Sequence, residues 1–156
     1  MNQKYKPYVV GIVVAEAVGA VSGWLIRDGV KAYMPLAKPP LTPPPVVFPI
    51  VWGILFFLMG IGIARIYKSP KSEQRSWSIG IYALQLFFNF WWSIIFFNMQ
   101  AFGFAFAWII ALWILILGMI LNFKQIDSLA AKLQIPYLLW VTFAAYLNYG
   151  VWMLNR

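Results

Sequence analysis

Apolar residues in this chain do not alternate with polar ones over short distances; they fill long stretches separated by brief polar or basic segments. Such stretches read as helices that are hydrophobic nearly all round, and they run near or beyond the roughly 18 to 20 residues needed to cross a hydrocarbon core of about 30 Å. Five spans are predicted, at about residues 9–26, 46–64, 77–97, 101–121 and 135–154. The expected fold is an all-α membrane protein: one domain over 1–156, a bundle of five transmembrane helices with a proline-rich loop between helices 1 and 2.

The first span follows Lys4, Lys6 and Pro7 and exceeds the apolar segment of a cleaved signal peptide, about 7 to 15 residues, so a retained helix is expected. Residues 28–45 hold Pro35, Pro39, Pro40, Pro43, Pro44 and Pro45, which exclude helix over the second half, while Asp28 to Leu36 can form a short surface helix. Pro49 falls in the first turns of the second span, where no amide donor is needed. Only Asn98, Met99 and Gln100 separate spans three and four, which makes them antiparallel neighbours. Asn122 to Gln134 is expected as a loop.

Composition supports the membrane assignment. The chain is 63% hydrophobic and 10% charged, where a soluble domain carries about 25% charged residues. Its net charge of +8 comes from lysines and arginines between the spans, not from a basic helix face, so a nucleic-acid partner is not expected. Lys4, Lys6, Arg65, Lys68, Lys71, Arg75, Lys124 and Lys132 gather on the amino-terminal side, against Arg27, Lys31, Lys38 and Arg156 opposite. The positive-inside rule then places the amino terminus in the cytoplasm. Cysteine and histidine are both absent, which excludes disulfides, thiol chemistry, the usual zinc sites and imidazole catalysis. No nucleophile with a base, carboxylate pair, phosphate-cradling glycine loop or metal cluster is present, so neither a metal site nor an ordinary hydrolase or transferase is expected.

Polar residues inside the spans are costly in lipid and turn toward the bundle interior or a cavity. On span three Ser78, Tyr82, Gln85, Asn89 and Trp92 recur at helical spacing; on span five Tyr137, Trp140, Ala144 and Asn148 do the same; span two adds Pro49, Trp52 and Phe56. Together these stripes can line an aromatic-walled pocket with a few hydrogen-bonding groups, which suits a flat hydrophobic ligand. Equally, Gln85, Asn89 and Asn148 can serve only to bond neighbouring helices, with the tryptophans forming an interfacial belt. Glu16 is the one carboxylate deep within a span, a candidate proton carrier or ion-pair partner, or a protonated acid bonded to another helix. Gly11, Ala15, Gly19 and Gly23 form a small-residue groove on span one, open to another subunit or to the chain's own helices.

The stretches Lys38-Pro39-Pro40-Leu41-Thr42-Pro43-Pro44, Val51-Trp52-Gly53, Gln85-Leu86 with Asn89 and Trp92, and Pro136-Tyr137-Leu138-Leu139-Trp140 through Leu147-Asn148-Tyr149 resemble the TspO family of tryptophan-rich sensory proteins and mitochondrial translocator proteins. The resemblance covers nearly the whole chain in the order of its five spans. It implies a five-helix bundle, commonly a homodimer, with a cavity beneath the first loop for porphyrins such as protoporphyrin IX, haem, sterols or benzodiazepine-site ligands. Carried onto matching positions, Trp52 and Asn89 would hydrogen-bond the ligand, Trp140 and Ala144 would form its wall, and Tyr33 with Pro43 would belong to the closing loop. Gln85, Trp92 and Asn148 complete the expected ligand set. The family often has aromatic residues where Ala32 and Leu41 stand here, so this loop offers less stacking surface. The sterol motif of animal members also fails, since six residues separate Tyr149 from Arg156.

The function this implies is tetrapyrrole binding with light-dependent oxidative degradation of the bound porphyrin, with Trp52 and Trp140 as redox residues and no obligatory cofactor, the porphyrin being ligand or substrate. The porphyrin would supply the difficult chemistry, and without histidine or cysteine a metal-free porphyrin suits the pocket better than haem. Transport of tetrapyrroles or related amphipathic molecules, and sensing of ligand occupancy, are the alternatives. The expected partners are a flat hydrophobic small molecule, the lipid bilayer and a second copy of the chain. The expected location is multi-pass in a bacterial cell membrane, or alternatively the mitochondrial outer membrane.

Overall fold

In the computed structural model, which describes residues 2–156, every regular element is helical among those residues. Five helical stretches are long and apolar enough to cross a membrane: Lys6–Leu25, Val47–Tyr67, Glu73–Asn98, Phe102–Lys124 and Ser128–Leu154. At about 1.5 Å per residue the shortest of them reaches about 30 Å, the thickness of a hydrocarbon core.

Within these, α1 (Lys6–Leu25) starts on Pro7 and passes at Ile26 into a short α2 (Arg27–Tyr33). Residues 34–46 then carry turns and bends without helix up to α3 (Val47–Tyr67). The third span begins earlier than its apolar run suggested. Ser72 caps it by accepting the amide of Arg75, and Glu73 lies in its first turn, so α4 (Glu73–Ser93) has a polar beginning. It ends in a π turn, Ile94–Asn98. After Gln100, whose φ of 50° turns the chain, α5 (Phe102–Lys124) runs back. The segment expected as a loop contains α6 (Ser128–Lys132), capped by Asp127 through the amide of Ala130. It leads into α7 (Ile135–Leu154).

The helix ends confirm the up-down order. Lys68 donates to the carbonyl of Lys4, Arg65 pairs with Asp127 at 3.0 Å, and Gln74 donates to Asn122, so the basic segments share one end of the bundle. The small-residue face of α1 is used within the chain. A Cβ added at Gly60 of α3 would lie 2.4 Å from the Cα of Ile12, and one at Gly11 would lie 2.5 Å from the carbonyl oxygen of Gly60. Ala15 between them is fully buried. Such an approach lets dispersion and close packing join the helices where lipid provides no hydrophobic drive.

Around the rest of the bundle α4 packs on α5 and α5 on α7, whereas α3 and α7 meet chiefly through large rings. Phe48 stands edge-on to Trp140 with centroids 5.8 Å apart, and Trp52 to Tyr137 at 6.2 Å. Rings of that size hold the two backbones apart, and the space they leave is the main cavity.

Candidate functional site

The cavity measures about 1260 Å³, beyond the roughly 300 to 1,000 Å³ of an ordinary small-molecule pocket. It occupies the half of the bundle nearest the carboxyl end of α1, walled by α1, α3, α4 and α7 and roofed by α2 and the 38–45 segment. A shallower groove of about 420 Å³ on the outer side of α4, near Trp77 and Leu84, faces away from the core.

The periodicity of α4 explains one wall. Its buried residues are Ser78, Tyr82, Gln85, Asn89 and Trp92, the polar and aromatic stripe of the sequence. Asn89 and Trp92 reach the cavity. Gln85, one turn deeper, does not line the cavity. The Tyr137 hydroxyl donates to Gln85 Oε1 at 2.7 Å and accepts from Asn89 Nδ2 at 2.7 Å, and Gln85 Nε2 faces Met59 Sδ at 3.8 Å. The physical reason is geometric: the α4 stripe is longer than the cavity, and its lower part meets α7 directly.

Higher up, Trp92 Nε1 donates to Asn148 Oδ1 at 3.0 Å, and Asn148 Nδ2 donates to the carbonyl of Phe102 at 2.9 Å. Asn89, Trp92 and Asn148 therefore both bond helices together and face the cavity, so two roles that compete on spacing coexist in space. Trp52, Trp140 and Ala144 lie on the same walls, with Tyr33 and Pro43 above them. The indole N–H of Trp140 is buried and bonded to nothing among the described residues.

Several wall residues escape a reading based on a 3.6-residue period. Phe96 and Phe97 both line the cavity because the π turn inserts an extra residue into the last turn of α4. Their rings enclose that of Tyr33, with centroids at 5.7 and 5.3 Å, and Phe96 stacks on Trp92 at 5.2 Å. Burial among them raises the Tyr33 phenol above its ordinary range, so it remains a neutral group. Phe48, in the first turn of α3, was hidden by its neighbour Pro49, and no periodic signal singled it out.

The 34–46 segment is tied to α7. Asn155 donates to the carbonyl of Ala37 at 2.8 Å and accepts the Ala37 amide at 3.1 Å, as a strand backbone would. Tyr146 donates to the carbonyl of Pro40 at 2.8 Å, and a Cβ added at Gly150 would lie 2.4 Å from the Pro39 ring. Arg27, Lys31 and Lys38 stand at the mouth, and Glu16 is the one carboxylate on the wall.

The chain has relatives among known proteins. The profile of the TspO/MBR family matches residues 10–153. The chain is 36% identical to the tryptophan-rich protein TspO of Chlorobaculum tepidum over 99% of each chain. It is 37% identical to a tryptophan-rich sensory protein of Cereibacter sphaeroides, over 87% of this chain and 84% of the relative. It is 32% identical to the human translocator protein, over 94% and 89%.

Proposed function

Because the chain belongs to the TspO/MBR family, we propose that its cavity binds a tetrapyrrole such as protoporphyrin IX and promotes light-dependent oxidative breakdown of the bound pigment. The observation that carries the reading is the cavity itself. It is large enough for a macrocycle and walled by Trp52, Trp92, Trp140, Phe96 and Phe97. Flat apolar bodies bind such walls through area burial and ring-to-ring contact.

In this reading the pigment absorbs the light, molecular oxygen is the oxidant, and the indoles of Trp52 and Trp140 lend electrons to the excited macrocycle. Asn89, held from below by Tyr137, presents a polar edge to the ligand, and the 34–46 segment shields it from water. The relatives' names, sensory protein and translocator protein, suggest reception or transport as other uses of the same binding step. The basic end of the bundle would face the cytoplasm of a bacterial cell.

Titration of the purified protein with protoporphyrin IX in darkness, followed by absorption spectra under illumination, tests the proposal. Stoichiometric binding and bleaching to a discrete product faster than free pigment support it. Bleaching no faster than in empty micelles defeats the degradation step, and absence of saturable binding defeats the whole reading.

A further inference from the structure

We propose that Glu16 makes the deep end of the cavity a binding site for amphipathic cations, taking a protonated amine against the carboxylate while the flat apolar body lies along the aromatic wall that includes Phe56 and Trp52. No motif of the chain calls for an acid at this position, and the porphyrin reading makes no use of it.

Glu16 lines the cavity yet takes part in neither ion pair among the described residues, Lys31–Asp28 or Arg65–Asp127. An unpaired carboxylate within a bilayer is costly, and a counter-charge relieves that cost. The protein's own cations at the mouth are engaged elsewhere. Arg27 donates to the carbonyl of Trp24 and lies 4.3 Å from its ring centroid. Lys38 is bonded to the carbonyls of Met34 and Leu36 and lies 4.7 Å above the ring of Tyr33. Arg27 is also remote along the chain: eleven residues of nearly continuous helix place it about 16 Å from Glu16.

Aromatic rings share the cavity wall with the carboxylate. Gly19 lies three residues beyond Glu16 and so on the same side of α1, and a Cβ added there would come within 2.6 Å of the Phe56 ring. The ring of Trp52 follows, its centroid 5.7 Å from that of Phe56. The carboxylate holds the ammonium by charge, and the rings on the same wall hold the flat body by area burial. With the one carboxylate of the wall at depth, a cationic amphiphile is held with its amine at the deep end and its rings toward the mouth.

The test uses two flat tricycles of matched shape, 9-aminoacridine, which is protonated at neutral pH, and acridine, which is not. Binding to the purified full-length protein is read by fluorescence in detergent, with protein-free micelles as the blank. The wild type is expected to hold the cation at least about tenfold tighter than the neutral ring, and Glu16→Gln to abolish that preference while leaving acridine affinity within about threefold. Equal affinity for the two probes in the wild type overturns the proposal without any variant. So does a Glu16→Gln protein that keeps the preference, or one that loses both probes alike. Glu16→Asp, which retains the charge, is expected to keep part of the preference, and its complete loss there would also count against the proposal. Since no porphyrin enters the measurement, failure of pigment binding and failure of the cation site are separately visible.

Discussion

Asn89 on α4 donates a hydrogen bond of 2.7 Å to the hydroxyl of Tyr137 on α7, and the ring of Tyr137 stands edge-on to Trp52 on α3. One phenol therefore joins three of the cavity's four helices at its floor. Its hydroxyl is fully satisfied, accepting from Asn89 and donating to Gln85, and the ring is almost wholly buried.

Tyr137→Phe removes both bonds and leaves the amide of Asn89 and the carbonyl of Gln85 buried without partners. Unsatisfied groups of this kind cost about 1 to 3 kcal/mol. The variant is expected to melt at a lower temperature in detergent and to bind pigment more weakly. Unaltered melting would show that water replaces the hydroxyl.

Replacing Trp52 and Trp140 together by phenylalanine keeps most of the apolar wall and removes the indoles. Pigment affinity in the dark should fall by less than about tenfold, since each ring still buries its face. Illuminated turnover should be lost. Bleaching at the wild-type rate would remove both residues from the chemistry.

The tie between the 34–46 segment and α7 predicts a kinetic effect. Asn155→Ala removes two hydrogen bonds to Ala37, so the roof opens more often and ligand association and dissociation should both quicken. Stopped-flow rates in the dark provide the check. A change in affinity with unchanged rates would argue that Asn155 shapes the site and does not control access.

At the α1–α3 contact, Gly60→Ala would drive a methyl into the backbone of Ile12. Overpacking of this kind costs about 1 to 3 kcal/mol. Gly80→Ala, whose Cβ meets nothing within 4 Å, is the control and should be neutral or slightly stabilising. Equal melting temperatures for the two variants would mean that the helices part without cost.

Acid should loosen the opposite end of the bundle. Burial alone would raise the pKa of Asp127, but the Ala130 amide and the Arg65 guanidinium outweigh it and hold the carboxyl below its usual 3.8. A carboxyl depressed on folding stabilises fully above its unfolded value and loses that contribution as pH falls through the folded one. Melting temperature should therefore decline below about pH 4, and less so in Asp127→Asn. With the paired side chains 33% and 22% exposed, the effect should stay under about 1 kcal/mol.

Much of this architecture was legible in the order of residues. Spans in lipid must satisfy their backbone internally, so long apolar stretches become helices whatever surrounds them. Helical spacing likewise turned Ser78, Tyr82, Gln85, Asn89 and Trp92 to one side, because polar groups avoid lipid. Tertiary structure decided what each of those groups meets. Gln85 and Asn89 share a face, yet α7 closes on Gln85, while the rings of Phe48, Trp52, Trp140 and Tyr137 hold α3 away from α7 and leave Asn89 at a cavity. The π turn, the partner of the Gly11–Ala15–Gly19 groove and the grip of Asn155 on Ala37 were equally hidden. Each depends on distances between segments far apart along the chain, and periodicity within a single helix carries no information about such distances.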